Sequence, residues 1–303
     1  MDRIRDTILG CQDEWPMRVR RVYYVMMGHD TLPVPTKAKA DWSPKKYADA
    51  QYKLVSDDVA RLRVRQEIPW DAIDDTHRRI MEEYVMPSNV EYLRYEADRF
   101  LTDYSRNYYL NAKYYPEIWV EKDAASTVYW ELASSLHIPL VILKGDSSIT
   151  FVHALAERAR QRMEERNQRT LVVYCSDLDP RGYYMLENVM NSLRDDMGIG
   201  DEVIGVRAIL TAEQVDQFAL PPNPAGIKTK DCRYKRYVEE VGDFGVELDA
   251  LSKQASHEAV QAVINSYCGE TFLADQRKIE ADELAAIDAV REEVIDVIKT
   301  AIK

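Results

Sequence analysis

No apolar run in this chain of 303 residues approaches the roughly 20 residues that span a bilayer, so no membrane segment is expected. The opening residues, Met1-Asp2-Arg3-Ile4-Arg5-Asp6, lack the apolar stretch of a secretory signal. A cytoplasmic, reducing location is the expectation, nucleoid-associated if the source is bacterial. Cysteine is scarce: Cys11, Cys175, Cys232 and Cys268 lie far apart with no C-x-x-C pair. That spacing argues against a structural zinc site and a disulfide framework, and leaves four free thiols. The five histidines show no H-x-x-x-H or other metal-ligand spacing. No G-x-x-x-x-G-K-[ST] occurs, which excludes a P-loop ATPase. Internal repeats and low-complexity tracts are also lacking.

What is present describes a globular protein. Hydrophobic residues make up 46% and charged residues 30%, enough for a core beneath a solvated surface. At this length two domains are expected rather than one. The net charge of -12 disfavours a simple nucleic-acid coat protein, because phosphate binding needs local positive potential. The charge is unevenly spread. Residues 1–80 carry 15 Lys and Arg against 13 Asp and Glu, and the remainder 25 against 39. A nucleic-acid-binding face is therefore expected in the N-terminal part.

Residues 1–80 read as helix, turn, helix. After Trp15-Pro16, the apolar residues Val19, Val22, Tyr23 and Met26 recur at helical spacing up to Gly28. A Pro- and Lys-rich loop over 32–37 follows, then a second periodic segment from Tyr47 to Arg65. Ile68-Pro69-Trp70-Asp71-Ala72-Ile73 has the look of a wing or edge strand. Together these features suggest a winged helix-turn-helix, with an ordinary helical bundle as the alternative. Residues 81–115, rich in Tyr and charge, read as a helical connector whose aromatics serve packing rather than base stacking.

From Pro116 strands alternate with helices. Strands are expected at 117–120, 140–143, 171–174 and 203–206, and helices at 123–136, 147–162 and 182–193. This alternation implies an α/β unit over 116–251 with a mainly parallel, Rossmann-like sheet covered on both faces. Residues 252–303 read as two helices split near Cys268-Gly269, the last of them long and strongly charged.

In such a sheet functional groups collect at the carboxyl ends of the strands, and here those ends are acidic. The first strand finishes in Val120-Glu121-Lys122-Asp123, and the third in Ser176-Asp177-Leu178-Asp179-Pro180-Arg181-Gly182. A carboxylate after one strand and an Asp-x-Asp after another can converge on a hard divalent cation, and Mg²⁺ binds through few carboxylates plus substrate phosphates. Phosphodiester chemistry follows from that pairing.

The arrangement resembles the Toprim domain of topoisomerases, primases and several nucleases. The resemblance implies Glu121 as an acid that also serves as general acid or base, with Glu121, Asp177 and Asp179 as ligands for Mg²⁺ or Mn²⁺. Lys122 stands where many Toprim domains have glycine. With Arg20-Arg21-Val22-Tyr23-Tyr24 in a helix placed before it, the layout resembles the A subunit of type IIB topoisomerases and the related meiotic protein that makes double-strand breaks. That resemblance implies Tyr24 as a nucleophile on double-stranded DNA, assisted by Arg20 or Arg21. It also implies a homodimer whose partner subunit supplies the metal, and for strand passage a separate ATPase partner. The compact standalone bacterial and phage proteins that join a winged helix to this Toprim type share the segments 68–78, 120–124 and 246–251.

Other candidates carry two readings each. Gly145-Asp146-Ser147-Ser148 can hold a phosphate at a helix N-terminus or simply cap the helix. Glu247 and Asp249 offer an outer metal contact or a solvated role. The basic stretch of Lys228, Lys230, Arg233, Lys235 and Arg236 offers a DNA-backbone contact or a solvated face. The function expected is metal-dependent DNA cleavage, by transesterification through Tyr24. The alternatives are hydrolysis by a Toprim nuclease, for example in defence against foreign DNA, and a non-catalytic DNA-binding or assembly protein.

Overall fold

The computed structural model describes residues 1–36, 38–39, 42–74, 85–144, 148–223 and 226–301. Three helices, α1 (Asp2–Gly10), α2 (Val19–Gly28) and α3 (Pro44–Val64), pack against one another at the N-terminal end. The start of α3 is set by Ser43, whose hydroxyl accepts the Lys46 amide, and by Pro44 in the first turn. On α2 the buried face is Val22, Tyr23, Tyr24 and Met26.

The segment expected to form a wing strand is built differently. Pro69, whose ring fixes φ and which has no N–H for a ladder, leads into a single 3-10 turn at Trp70–Ala72. Ile73 then makes a one-residue parallel bridge to Met17. Among the described residues this unit has no two-stranded wing; residues 75–78, the end of the stretch shared with the compact proteins, lie outside them. Of the expected connector, one helix is described, α4 (Asn89–Arg99). Tyr108 and Tyr109 beyond it are buried in aromatic packing with His137, Tyr115 and Phe272.

The α/β unit follows as β1 (Tyr114–Val120), α5 (Ser126–Ser135), β2 (Leu140–Ile142), α6 (Ile149–Arg166), β3 (Arg169–Cys175), α7 (Pro180–Asp195) and β4 (Val203–Ile209). All four strands run parallel in the order β2-β1-β3-β4. Alternation along the strands divides the core. Ile118, Val120, Val173 and Cys175 face the same side as α5 and the N-terminal helices, while Trp119, Val172 and Tyr174 face α6 and α7. Each such buried side chain contributes on the order of 1.5–3 kcal/mol. One continuous core therefore joins α1–α3 to a sheet face. In the middle of β1, Glu117 is buried between Arg158 and Arg162 of α6 and accepts the Trp119 indole N–H at 2.9 Å.

The chain continues through α8 (Ala212–Gln217) and α9 (Tyr234–Glu240), then returns to the sheet. Leu178 and Val246 form an antiparallel bridge, so residues 245–251 run as a strap past the end of β3. Next comes α10 (Lys253–Cys268), which covers the sheet face shared with α5. Gly269, at φ +104°, breaks it from α11 (Phe272–Ala301), which lies along α4. Among the described residues no helix is long and apolar enough to cross a membrane.

Candidate active site

The strand order places the site. From β1 the chain moves outward to β2, and from β3 outward to β4, so connections leave the β1/β3 pair in opposite directions. The crevice beyond the carboxyl ends of those two strands is the topological switch point, where open α/β sheets bind ligands. Val120 pairs with Cys175, and the Glu121 amide donates to the Cys175 carbonyl at 3.3 Å. Glu121 and Asp177 thus emerge side by side into that crevice, each less than a tenth exposed.

Their surroundings differ. Asp177 Oδ1 accepts the Leu248 amide from the strap at 2.9 Å, and Oδ2 accepts the Lys122 ammonium. Glu121 Oε2 is buried with no hydrogen-bond partner. Burial, reinforced by the Asp177 charge, pushes the Glu121 pKa up to about 7. Burial works against the Lys122 charge, but Asp177 outweighs it and holds the ammonium above its ordinary pKa.

Asp179 starts α7 and is the N-cap. Its Oδ1 accepts the amides of Arg181 at 2.9 Å and Gly182 at 2.7 Å, with Pro180 in the first turn. Expected as a metal ligand, it is thus engaged by the helix terminus on that oxygen. Among the described residues no three His, Cys, Asp or Glu side chains converge on a metal position as they stand. The oxygens best suited to a cation are Glu121 Oε2, orphaned in a buried position, and Asp177 Oδ2, already facing a positive charge. Two carboxylates fit Mg²⁺, which keeps several waters and takes further oxygens from phosphate.

The α2 residues singled out by the resemblance are buried or paired within the chain. Arg21 donates from Nε and Nη2 to Glu14 at 2.6 and 2.8 Å, and from Nη1 to the Ala250 carbonyl at 3.0 Å. It ties α2 to Glu14 and to the strap at Ala250. Tyr24 is only 2% exposed, and its hydroxyl lies buried beside Glu247. Burial, and then the Glu247 charge, raises its pKa far above the ordinary tyrosine value. Arg20 lies 3.3 Å from Glu247 and 4.3 Å over the Tyr52 ring.

Two cavities meet at the acids. A smaller one, of about 190 Å³, lies between Glu121, Asp177 and the strap, with Arg18 and Arg20 of α2 region at its rim. A wider groove, of about 750 Å³, opens beside it and is edged by Lys45, Lys228 and Lys230. Lys122, Asp177 and Glu247 line both. Arg233, expected as a DNA contact, is held by Asp231 through Nε and Nη2 at 2.9 and 3.1 Å. Asp249 is paired with Arg18 at 2.7 Å. Gly145, Asp146 and Ser147 lie outside the described residues, while Ser148 caps α6 by accepting the Phe151 amide.

No protein-family model matches this chain, and no curated protein matches it.

Several contributors escape sequence reasoning. Arg207 of β4 donates to Ser176 Oγ and to the carbonyls of Gly182 and Tyr183, locking the start of α7 onto the end of β3. Asn223 positions Glu247 at 3.0 Å, and Lys45 reaches the groove from α3. A lone arginine in a strand was the available signal for Arg207. Nothing local marks the other two.

Proposed function

We propose that this chain binds DNA along the Lys45–Lys228–Lys230 groove and cleaves its phosphodiester backbone at Glu121 and Asp177 with Mg²⁺ or Mn²⁺, as a Toprim-type nuclease. The observation that carries this reading is the pairing of two buried carboxylates at the switch point of a parallel sheet, one of them orphaned, beside a groove edged by lysines. Acids after β1 and β3 of a sheet ordered β2-β1-β3-β4 support the resemblance to Toprim domains. The packed helices α1–α3 support an N-terminal DNA-binding unit, although the wing it resembles is lacking among the described residues.

Asp177 and Glu121 would hold the divalent cation, which would supply charge neutralisation at the scissile phosphate. Lys228 and Lys230 hold the flanking phosphates. In the metal-free protein burial and the Asp177 charge raise the Glu121 pKa to about 7, so loading the cation would release the Glu121 proton near neutral pH. Water is the favoured attacking group, because the Tyr24 oxygen is buried and strongly resists ionisation. Transesterification through Tyr24 is the second reading. It draws on the proximity of Tyr24 to Glu247, which lines the same cavity as Glu121. A non-catalytic DNA-binding role is the third, and draws on the Lys122–Asp177 pair, which leaves Asp177 compensated without any metal.

Supercoiled plasmid incubated with the protein and Mg²⁺ or Mn²⁺, with and without protease digestion, separates the three. The hydrolytic reading expects cleavage that Glu121→Ala and Asp177→Ala abolish, that Tyr24→Phe retains, and that leaves no protein on the ends. Protein-linked ends lost in Tyr24→Phe would establish transesterification instead. DNA retention with no cleavage under any metal would leave the binding role.

A further inference from the structure

Lys122 follows Glu121 directly at the end of β1 and reaches Asp177 across the crevice. Its ammonium sits on Asp177 Oδ2, the oxygen not engaged by the Leu248 amide. The two partners are unequally placed: the Lys122 side chain is 53% exposed, and that of Asp177 is 10% exposed. A buried carboxylate needs a compensating charge, so Asp177 is poorly placed to stand alone. A half-exposed lysine has no such need, since its flexible stem lets the ammonium move into water at little cost. The pair is therefore fixed on the Asp177 side and exchangeable on the Lys122 side.

Geometry adds the second half of the argument. Lys122 lines both the small acidic cavity and the wider lysine-edged groove, and so stands in the wall between them. A divalent cation brought to Asp177 Oδ2 would meet the positive charge of the ammonium already there, so the two compete for that oxygen.

Building on the metal-dependent reading above, we propose that Lys122 is a tethered competitor of the divalent cation. It occupies the Asp177 oxygen when the metal is absent, and has to swing toward the groove before the cation is admitted. Lys122 thereby sets the metal concentration at which the site fills, a specificity-determining role separate from any proton transfer.

The test is a titration of Mn²⁺ into the 303-residue chain without DNA, with free Mn²⁺ counted by electron paramagnetic resonance. Lys122→Met removes the charge and keeps the length. It is expected to bind Mn²⁺ at least about tenfold more tightly than the unaltered protein, the equivalent of about 1.4 kcal/mol. Lys122→Gln repeats the measurement with a polar side chain should the methionine disturb folding. Lys122→Arg retains a cation and is expected to gain nothing. Asp177→Asn in the Lys122→Met background is expected to lose the site. Unchanged or weaker binding in both neutral variants, with Asp177→Asn still removing it, would overturn the competitor role while leaving the metal site intact. Binding that ignores Asp177→Asn in every background would overturn the competitor role and the metal site together.

Discussion

The Oε2 atom of Glu121 lies so close over Gly182 that a Cβ built on the glycine would approach it to 2.7 Å, and would meet the Asp177 carbonyl oxygen at 2.5 Å. The first turn of α7 thus forms the floor beneath the acids, and only a residue without a side chain fits there. Gly182→Ala is expected to cost about 1–3 kcal/mol by overpacking, read in urea denaturation. A loss below about 0.5 kcal/mol would show that the floor yields.

The raised pKa of Glu121 has a signed consequence for stability. Its folded value of about 7 lies above the ordinary 4.5, so the native state favours the protonated form. The resulting penalty is absent below about pH 4.5, grows through the interval up to 7, and is constant above it. Glu121→Gln is expected to match the unaltered protein at pH 4 and to exceed it by up to about 3 kcal/mol at pH 8, in chelator. Denaturant midpoints at the two pH values check this, and equal midpoints at pH 8 would contradict it.

The interior of the sheet holds a second buried acid with the opposite character. Burial would lift the Glu117 pKa, but Arg162 and Arg158 outweigh it and hold the carboxyl below its ordinary range. Glu117→Ala leaves two guanidinium groups without their carboxylate, and is expected to cost about 3–5 kcal/mol. Thermal unfolding reads the loss. A shift no larger than that of a surface substitution would mean that the arginines find water instead.

Lys228 and Lys230 are exposed at the groove edge, whereas Arg233 is held by Asp231. Replacing either lysine by alanine is expected to weaken DNA binding across all sequences alike. Each replacement should also reduce the slope of log K against log salt by about 0.9. Arg233→Ala should leave that slope nearly unchanged. Salt titrations of binding to a short duplex compare the three.

The alternation of strands and helices was legible from Pro116 onward because apolar runs and helical periods report directly on a covered sheet. Boundaries were less so. The first strand is expected at 117–120, yet it begins at Tyr114 and runs through Pro116, whose missing N–H would face the side where β2 has not yet begun. The cap of α7 is local, with Asp-Pro-x-Gly carrying the N-cap, the first-turn proline and the small residue in four consecutive positions, yet Asp179 is expected as a metal ligand and the helix only from 182. Pairings across long sequence distances left no local mark. Neither the Leu248 amide on Asp177 nor the Asp249–Arg18 ion pair has a signature in composition or period. Glu14, too, gave no sign that it would claim Arg21 and so redirect the cation expected beside Tyr24.

The strap at 245–251 has a consequence for the order in which this protein becomes competent during synthesis. Asp177 depends on an amide 71 residues later in the chain, and Arg18 finds its carboxylate 231 residues later. A ribosome that has released the whole sheet, through Ile209, has still not delivered the segment that orients Asp177. The nascent chain can therefore gather its sheet while its acids remain unassembled, and the crevice takes its final form only when the strap closes over β3. The frame of the crevice is thus laid down before the segment that completes it.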